Sequence, residues 1–153
     1  MDKKLYIGII GAGNCDERID SIAEETGTLI AKYNGILVCG GMGGVMEAAC
    51  RGAKKEGGTT IGILPGRNPD EGNGYLDYRI VTGFGEARNL IIVNTVDSAI
   101  AISGSYGTLS EISFCLKNSV PVISLSSWNI PGMEMVTDNP ESAVETAFIK
   151  AAH

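Results

Sequence analysis

Residues 36–47 read ILVCGGMGGVME. Four apolar residues of strand character run into a segment with glycine at 40, 41, 43 and 44, and the glycines open onto a helix predicted over Val45 to Glu56. A run this short and this apolar suits a strand buried on both faces. The same order recurs on either side of it. Leu5 to Ile10 leads into Gly11-Ala12-Gly13-Asn14 and a helix over Glu17 to Tyr33, and Ala99 to Ile102 leads into SGSYGTLSE (Ser103 to Glu111) and a helix over Leu109 to Lys117. Further strands are expected at Thr60 to Leu64, Tyr78 to Val81 and Val120 to Ser124, with a helix over Glu86 to Val93. A last helix opens after Asp138 and Asn139 with Pro140 in its first turn, where a missing amide hydrogen is harmless. Repetition of strand, turn and helix implies the α/β class: a single Rossmann-like domain over residues 1–153, with a mostly parallel sheet covered by helices on both faces.

Composition removes several functions. At 153 residues and 44% hydrophobic content the chain can bury one core, and no run reaches the ~20 apolar residues of a membrane span or has the form of a signal peptide. A cytoplasmic protein is expected. Eighteen acidic against twelve basic residues give a net charge of -6 with no basic cluster, which argues against a nucleic-acid partner. The sole histidine is His153, the last residue, so Ser/His and Cys/His machinery is excluded. Cys15, Cys39, Cys50 and Cys115 form no CxxC pair, so neither a metal site nor a redox dithiol is expected; they read as small core residues. No metal or organic cofactor is called for. Glycine, 21 of 153 residues, is about twice the usual ~7%.

In such a sheet, ligands lie beyond the carboxyl ends of the strands, where the three glycine-rich turns fall. Their amides, together with the helix N-termini that follow, favour an anion such as phosphate; tight turns needing positive φ are the structural alternative. Gly11, Gly13 and Asn14 form the first turn, and Gly40, Gly41, Gly43, Gly44 and Met46 belong to the second. The third contributes Gly104, Ser105, Tyr106, Gly107 and Thr108. Dinucleotide binding is disfavoured, because GAGNCD lacks the third fingerprint glycine and no Asp or Glu ends the second strand. Arg88 stands near the start of a predicted helix, where the macrodipole opposes a cation, so an anion should compensate it; a surface pair with Glu86 or Asp97 would also serve. Glu111 has two readings as well, a site carboxylate or the closing member of a Thr108-Leu109-Ser110-Glu111 capping box. Pro65 to Tyr75 reads as a lid or a solvated loop, and Leu90 to Val93, apolar all round, suggests cover by another subunit or burial inside the monomer.

Arg88, the strand Ala99 to Ile102, SGSYGTLSE and the earlier GGMGGVM together resemble the Lonely Guy family of cytokinin riboside 5′-monophosphate phosphoribohydrolases, whose members are often labelled lysine decarboxylases. The resemblance runs from Tyr6 to about Ser124. It implies that Arg88 and Glu111 correspond to the catalytic pair, that Gly104, Gly107 and Thr108 correspond to the phosphate turn, and that Gly40, Gly41, Gly43, Gly44 and Met46 correspond to the family's first glycine motif, one residue shorter. Ser103 and Ser105 replace a Pro and a Gly of the pattern, Asn89 replaces the lysine after the arginine, and Glu47 replaces a glycine. These departures resemble a short-chain branch that includes molybdenum cofactor carrier proteins.

The resemblance implies a hydrolase that cleaves the N-glycosidic bond of a nucleoside 5′-monophosphate to free base and ribose 5-phosphate. Glu111 would stabilise positive charge on the ribose and Arg88 would hold the phosphate or the leaving base. The alternative is a non-catalytic carrier of a phosphorylated pterin, the molybdenum cofactor, or of a nucleotide. Relatives of this kind are dimers or larger, so a homodimer is expected.

Overall fold

The computed structural model describes residues 3–153. Strands β1 (Tyr6–Gly11), β2 (Ile36–Cys39), β3 (Thr59–Leu64), β4 (Tyr78–Val81), β5 (Ser98–Ile102), β6 (Val122–Leu125) and β7 (Met135–Thr137) form one sheet in the order β4-β3-β2-β1-β5-β6-β7. Every pairing among them is parallel, so the expected mostly parallel sheet is parallel throughout. Helices α1 (Glu17–Lys32), α2 (Val45–Lys55), α3 (Arg88–Thr95), α4 (Tyr106–Lys117) and α5 (Pro140–Ala151) connect or follow the strands. The result is a Rossmann-like α/β fold.

Alternation along the strands separates two cores. In β5, Ile100 and Ile102 face the layer of α1, α2 and α5, whereas the small Ala99 and Ala101 face α3 and α4. In β1, Ile7 and Ile9 join the first core and Ile10 the second. Each fully buried isoleucine contributes roughly 1.5 to 3 kcal/mol of apolar transfer. Two helices begin on side-chain caps as their sequences require: Asp16 accepts from the Ile19 amide at 2.9 Å, and Asn139 accepts from the Ser142 amide at 3.1 Å beside Pro140.

Two open alternatives are decided and one expected helix divides. Leu90 to Val93 is not apolar surface all round, because Ile92 and Val93 lie in the second core and Leu90 alone of the four is exposed. Pro65 to Tyr75 follows the solvated-loop alternative rather than a detached lid, with Arg67 to Glu71, Gly74 and Tyr75 exposed and Asn73 buried. It holds a 3-10 turn at Pro69–Glu71, and Arg79 donates to the carbonyls of Pro69, Gly72 and Asn73, at 2.7, 3.2 and 2.7 Å. The helix expected from Glu86 divides into a 3-10 turn at Gly85–Ala87 and α3 proper. Among the described residues no helix is long and apolar enough to cross a membrane.

Candidate functional site

The chain runs outward from β1 through β2 and β3 to β4, then returns to place β5 on the other side of β1. This reversal opens a crevice at the carboxyl ends of β1 and β5, where parallel sheets of this type take ligands. A cleft of about 200 Å³ lies there. Of the residues expected from sequence, Gly11, Gly13, Gly40, Met46, Arg88, Ser105, Gly107, Thr108 and Glu111 line it. Asn14, Gly41, Gly43, Gly44, Gly104 and Tyr106 do not. Ile9, Ala12, Glu86 and Asn89 complete the wall.

Arg88 is the first residue of α3 and lies across the ends of two strands. Its Nε donates to the Ile63 carbonyl at 2.9 Å, Nη2 to the Gly40 carbonyl at 3.3 Å, and Nη1 to Asn89 Oδ1 at 2.5 Å. Strand-end carbonyls therefore supply the negative partial charge that the helix start denies it. No ion pair joins it to Glu86 or Asp97; Asp97 instead accepts from the Tyr6 amide at 2.8 Å. Gly40 is glycine for the sake of this guanidinium, since a Cβ there would sit 2.5 Å from Nη2. Gly40→Ala is accordingly expected to displace the flexible Arg88 side chain and weaken the affinity of any anion held by that guanidinium about tenfold, with stability changed by less than about 1 kcal/mol. Calorimetric titration alongside thermal denaturation checks both.

Glu111 is half-buried in the second turn of α4. Because α4 begins at Tyr106 rather than Leu109, the carboxylate is too far along the helix to close a capping box, so that reading is corrected. Among the described residues it makes no hydrogen bond or ion pair. Burial pushes its pKa up to about 7, with the positive charge of Arg88 opposing the rise. The carboxyl group thus stands at the cleft wall, uncommitted and able to exchange a proton near neutrality.

The first two turns are packed backbone against backbone. Gly44 has φ 60° and ψ −126°, and a Cβ there would lie 2.4 Å from the Gly13 carbonyl carbon. The Val45 amide donates to the Ala12 carbonyl at 3.1 Å. From the far side, Asn73 holds the second turn, its amide donating to the Gly41 carbonyl at 2.8 Å and its Nδ2 to the Met42 carbonyl at 2.9 Å. Cys39 accepts from the Gly41 amide at 3.3 Å, and its sulfur lies 3.6 Å from that of Cys50, both buried as expected of core residues. Gly41, Gly43 and Gly44 therefore shape the turn without reaching the cleft. Gly104, at φ 90°, similarly leaves room for Thr108. Tyr106 is 80% exposed, its ring centroid 6.3 Å from that of Trp128.

Capping marks what the cleft lacks. Whereas α1 and α5 are closed by Asp16 and Asn139, neither α2 nor α4 has a side chain bonded to its first-turn amides. Met46 in the first turn of α2, and Ser105, Gly107 and Thr108 at the start of α4, border the cleft. Unpaired amides and two positive dipole ends beside a guanidinium make an anion-binding arrangement. Glu86 and Asn89 escaped the sequence reading as cleft residues because their position depends on how α3 sits against the sheet; their spacing of three along one helical face was the available signal.

Among solved structures, the chain is similar to a molybdenum cofactor binding protein from the phototrophic bacterium Rippkaea orientalis, with 37% identity, 98% coverage of both chains and a TM-score of 0.89. It is also similar to the Moco carrier protein of Chlamydomonas reinhardtii, with 31% identity, 99% and 100% coverage and a TM-score of 0.87. An uncharacterized protein of Archaeoglobus fulgidus is 46% identical over 142 residues, 93% of each chain. The model of the SLOG cluster4 family matches residues 4–152, and the chain belongs to that family.

Proposed function

We propose that this protein binds and carries a phosphorylated pterin of the molybdenum cofactor class. The observation that carries the reading is the convergence of two uncapped helix starts and Arg88 on one cleft. The whole-length similarity to a molybdenum cofactor binding protein and to a Moco carrier supports the same ligand class. The phosphate would lie against the amides of the Gly11–Gly13 and Ser105–Thr108 turns, with Arg88 supplying the planar, multi-donor cation. A carrier needs no bond cleavage, and the protein is expected to bind molybdopterin saturably and to return it chemically unchanged.

The hydrolase reading keeps one specific point in its favour, the shared cleft of Arg88 and Glu111. Incubation with AMP and related nucleoside monophosphates separates the two. The carrier reading expects no free base and no ribose 5-phosphate. Base release by the wild-type protein that is lost in Glu111→Ala would establish the hydrolase and overturn the carrier. Arg88→Ala is expected to reduce molybdopterin affinity about 10- to 100-fold, the scale of a lost charge-assisted contact, as read by calorimetry. We also propose self-association, with the exposed apolar side chains of Tyr78 and Ile80 on edge strand β4 as the covered surface. Light scattering at micromolar concentration should give a dimer or larger; a monomer excludes it.

A further inference from the structure

Next to the cleft lies a second cavity of about 330 Å³, and Glu86, Asn89 and Gly107 line both. The two form a continuous groove with different ends. At the glycine turns it offers amides and a cation; beyond Glu86 and Asn89 it is bounded by Leu90 and Phe114, which suit the face of a planar ring. A ligand filling it would be phosphate at one end and heterocycle at the other, with Glu86 and Asn89 at the junction. Their chemistry narrows the heterocycle. The Arg88 guanidinium can only donate, so the Asn89 atom facing it at 2.5 Å is the acceptor Oδ1, and the amide Nδ2 is left as a donor. The Glu86 side chain, among the described residues, makes no hydrogen bond or ion pair, and a carboxylate can only accept. One donor beside one double acceptor, three residues apart at a helical start, complements a ring edge that presents a carbonyl next to an N–H and an amino group.

We propose that Glu86 and Asn89 select a 2-amino-4-oxo pyrimidine edge, the one shared by guanine and pterin, and reject adenine. The carboxylate would take the ring N–H and the amino group together, while Asn89 Nδ2 would donate to the ring carbonyl. Adenine offers no carbonyl and only one N–H donor group on the corresponding edge, which leaves both protein groups short of partners. This inference rests on the phosphate-ligand reading above and specifies the ring at the same site.

The test is calorimetric titration of the intact protein with GMP, IMP, AMP, neopterin monophosphate and ribose 5-phosphate. GMP or neopterin monophosphate should bind at least tenfold more tightly than AMP, and IMP, which lacks the amino group, should fall between GMP and AMP where GMP is preferred. A preference for GMP alone identifies a guanine nucleotide as the source of the edge, and a preference for neopterin monophosphate alone identifies a pterin. Glu86→Gln, which replaces one acceptor by a donor on an exposed turn, should shrink the ratio to within about twofold. Equal affinities in the wild type, or a ratio unchanged in Glu86→Gln, would overturn the proposal. If ribose 5-phosphate binds while the rings are not distinguished, the ring selection alone falls; if none of the five binds, the phosphate-ligand reading falls with it.

Discussion

Glu111→Gln is expected to stabilise the ligand-free protein at pH 8 by about 2 to 3 kcal/mol, and to change it little at pH 4. Burial raises the carboxyl pKa from its ordinary 4.5 to about 7, and the nearby Arg88 charge does not cancel that rise. A group whose pKa is higher in the folded state favours folding while protonated in both states. Its contribution is therefore complete below about pH 4.5 and is lost as pH climbs through 7. Each unit of difference is worth ~1.4 kcal/mol, discounted here because the side chain is only half-buried. Glutamine keeps the shape without the charge, so the wild-type and variant stability curves should coincide in acid and diverge between about pH 5 and 8. Other carboxylates cancel in the difference, including Glu24, which hydrogen bonds from Lys55 and Arg51 hold below the usual range. In melting temperature the gain is about 5 to 10 °C at pH 8 for a domain of this size. Chemical denaturation across that range reads it directly. Parallel curves would mean that Glu111 is solvated and that the cleft wall is more open than its geometry indicates.

The central sheet was legible because buried parallel strands leave an unmistakable trace: Ile36–Cys39 stands where its apolar run placed it, and β3 and β5 begin one residue earlier than expected. Tyr78–Val81 keeps its expected bounds but is a largely exposed edge strand, not a buried one. What escaped has local causes. Strand β7, Met135–Thr137, is three residues on the sheet edge, too short for periodicity to register. Strand β6 starts at Val122 because Pro121 lacks an amide hydrogen for the ladder, although its carbonyl still accepts from Ala99 at 2.9 Å. Helix α4 begins three residues before Leu109 because the glycine at 107, a poor helix former, disguises its first turn. That shift removed the capping-box reading of Glu111. For the site, sequence supplied the glycines and the charged pair, but which glycines meet the cleft and which brace it depends on backbone approach. Gly13 lines the cleft while Gly44 packs against its backbone.

Gly27→Ala and Gly52→Ala are each expected to destabilise the protein by about 2 to 4 kcal/mol, or about 6 to 12 °C in melting temperature, despite the better helix propensity of alanine. In an exposed helix either change would add up to ~1 kcal/mol of stability. Here α1 and α2 cross with backbone in contact: a Cβ on Gly27 would lie 1.8 Å from the Ala49 carbonyl oxygen, and one on Gly52 would lie 1.9 Å from that of Glu24. Neither oxygen can swing aside as a side chain would. The same crossing is tied by Thr28 Oγ1 donating to the Gly52 carbonyl at 3.2 Å, by Arg51 pairing with Asp20 and Glu24 at 2.5 and 2.7 Å, and by Lys55 on Glu24. Forcing the helices apart loosens those bonds and the first core between them. It also reaches the site, because α1 follows the first glycine turn and α2 follows the second, and these turns touch at Gly13 and Gly44. Affinity for the proposed ligand should therefore fall in both variants at temperatures where they remain folded. The double variant should cost less than the sum of the two, since one separation relieves both clashes. Denaturation curves that show a gain in stability for either alanine would mean the two helices stand further apart than this close crossing requires.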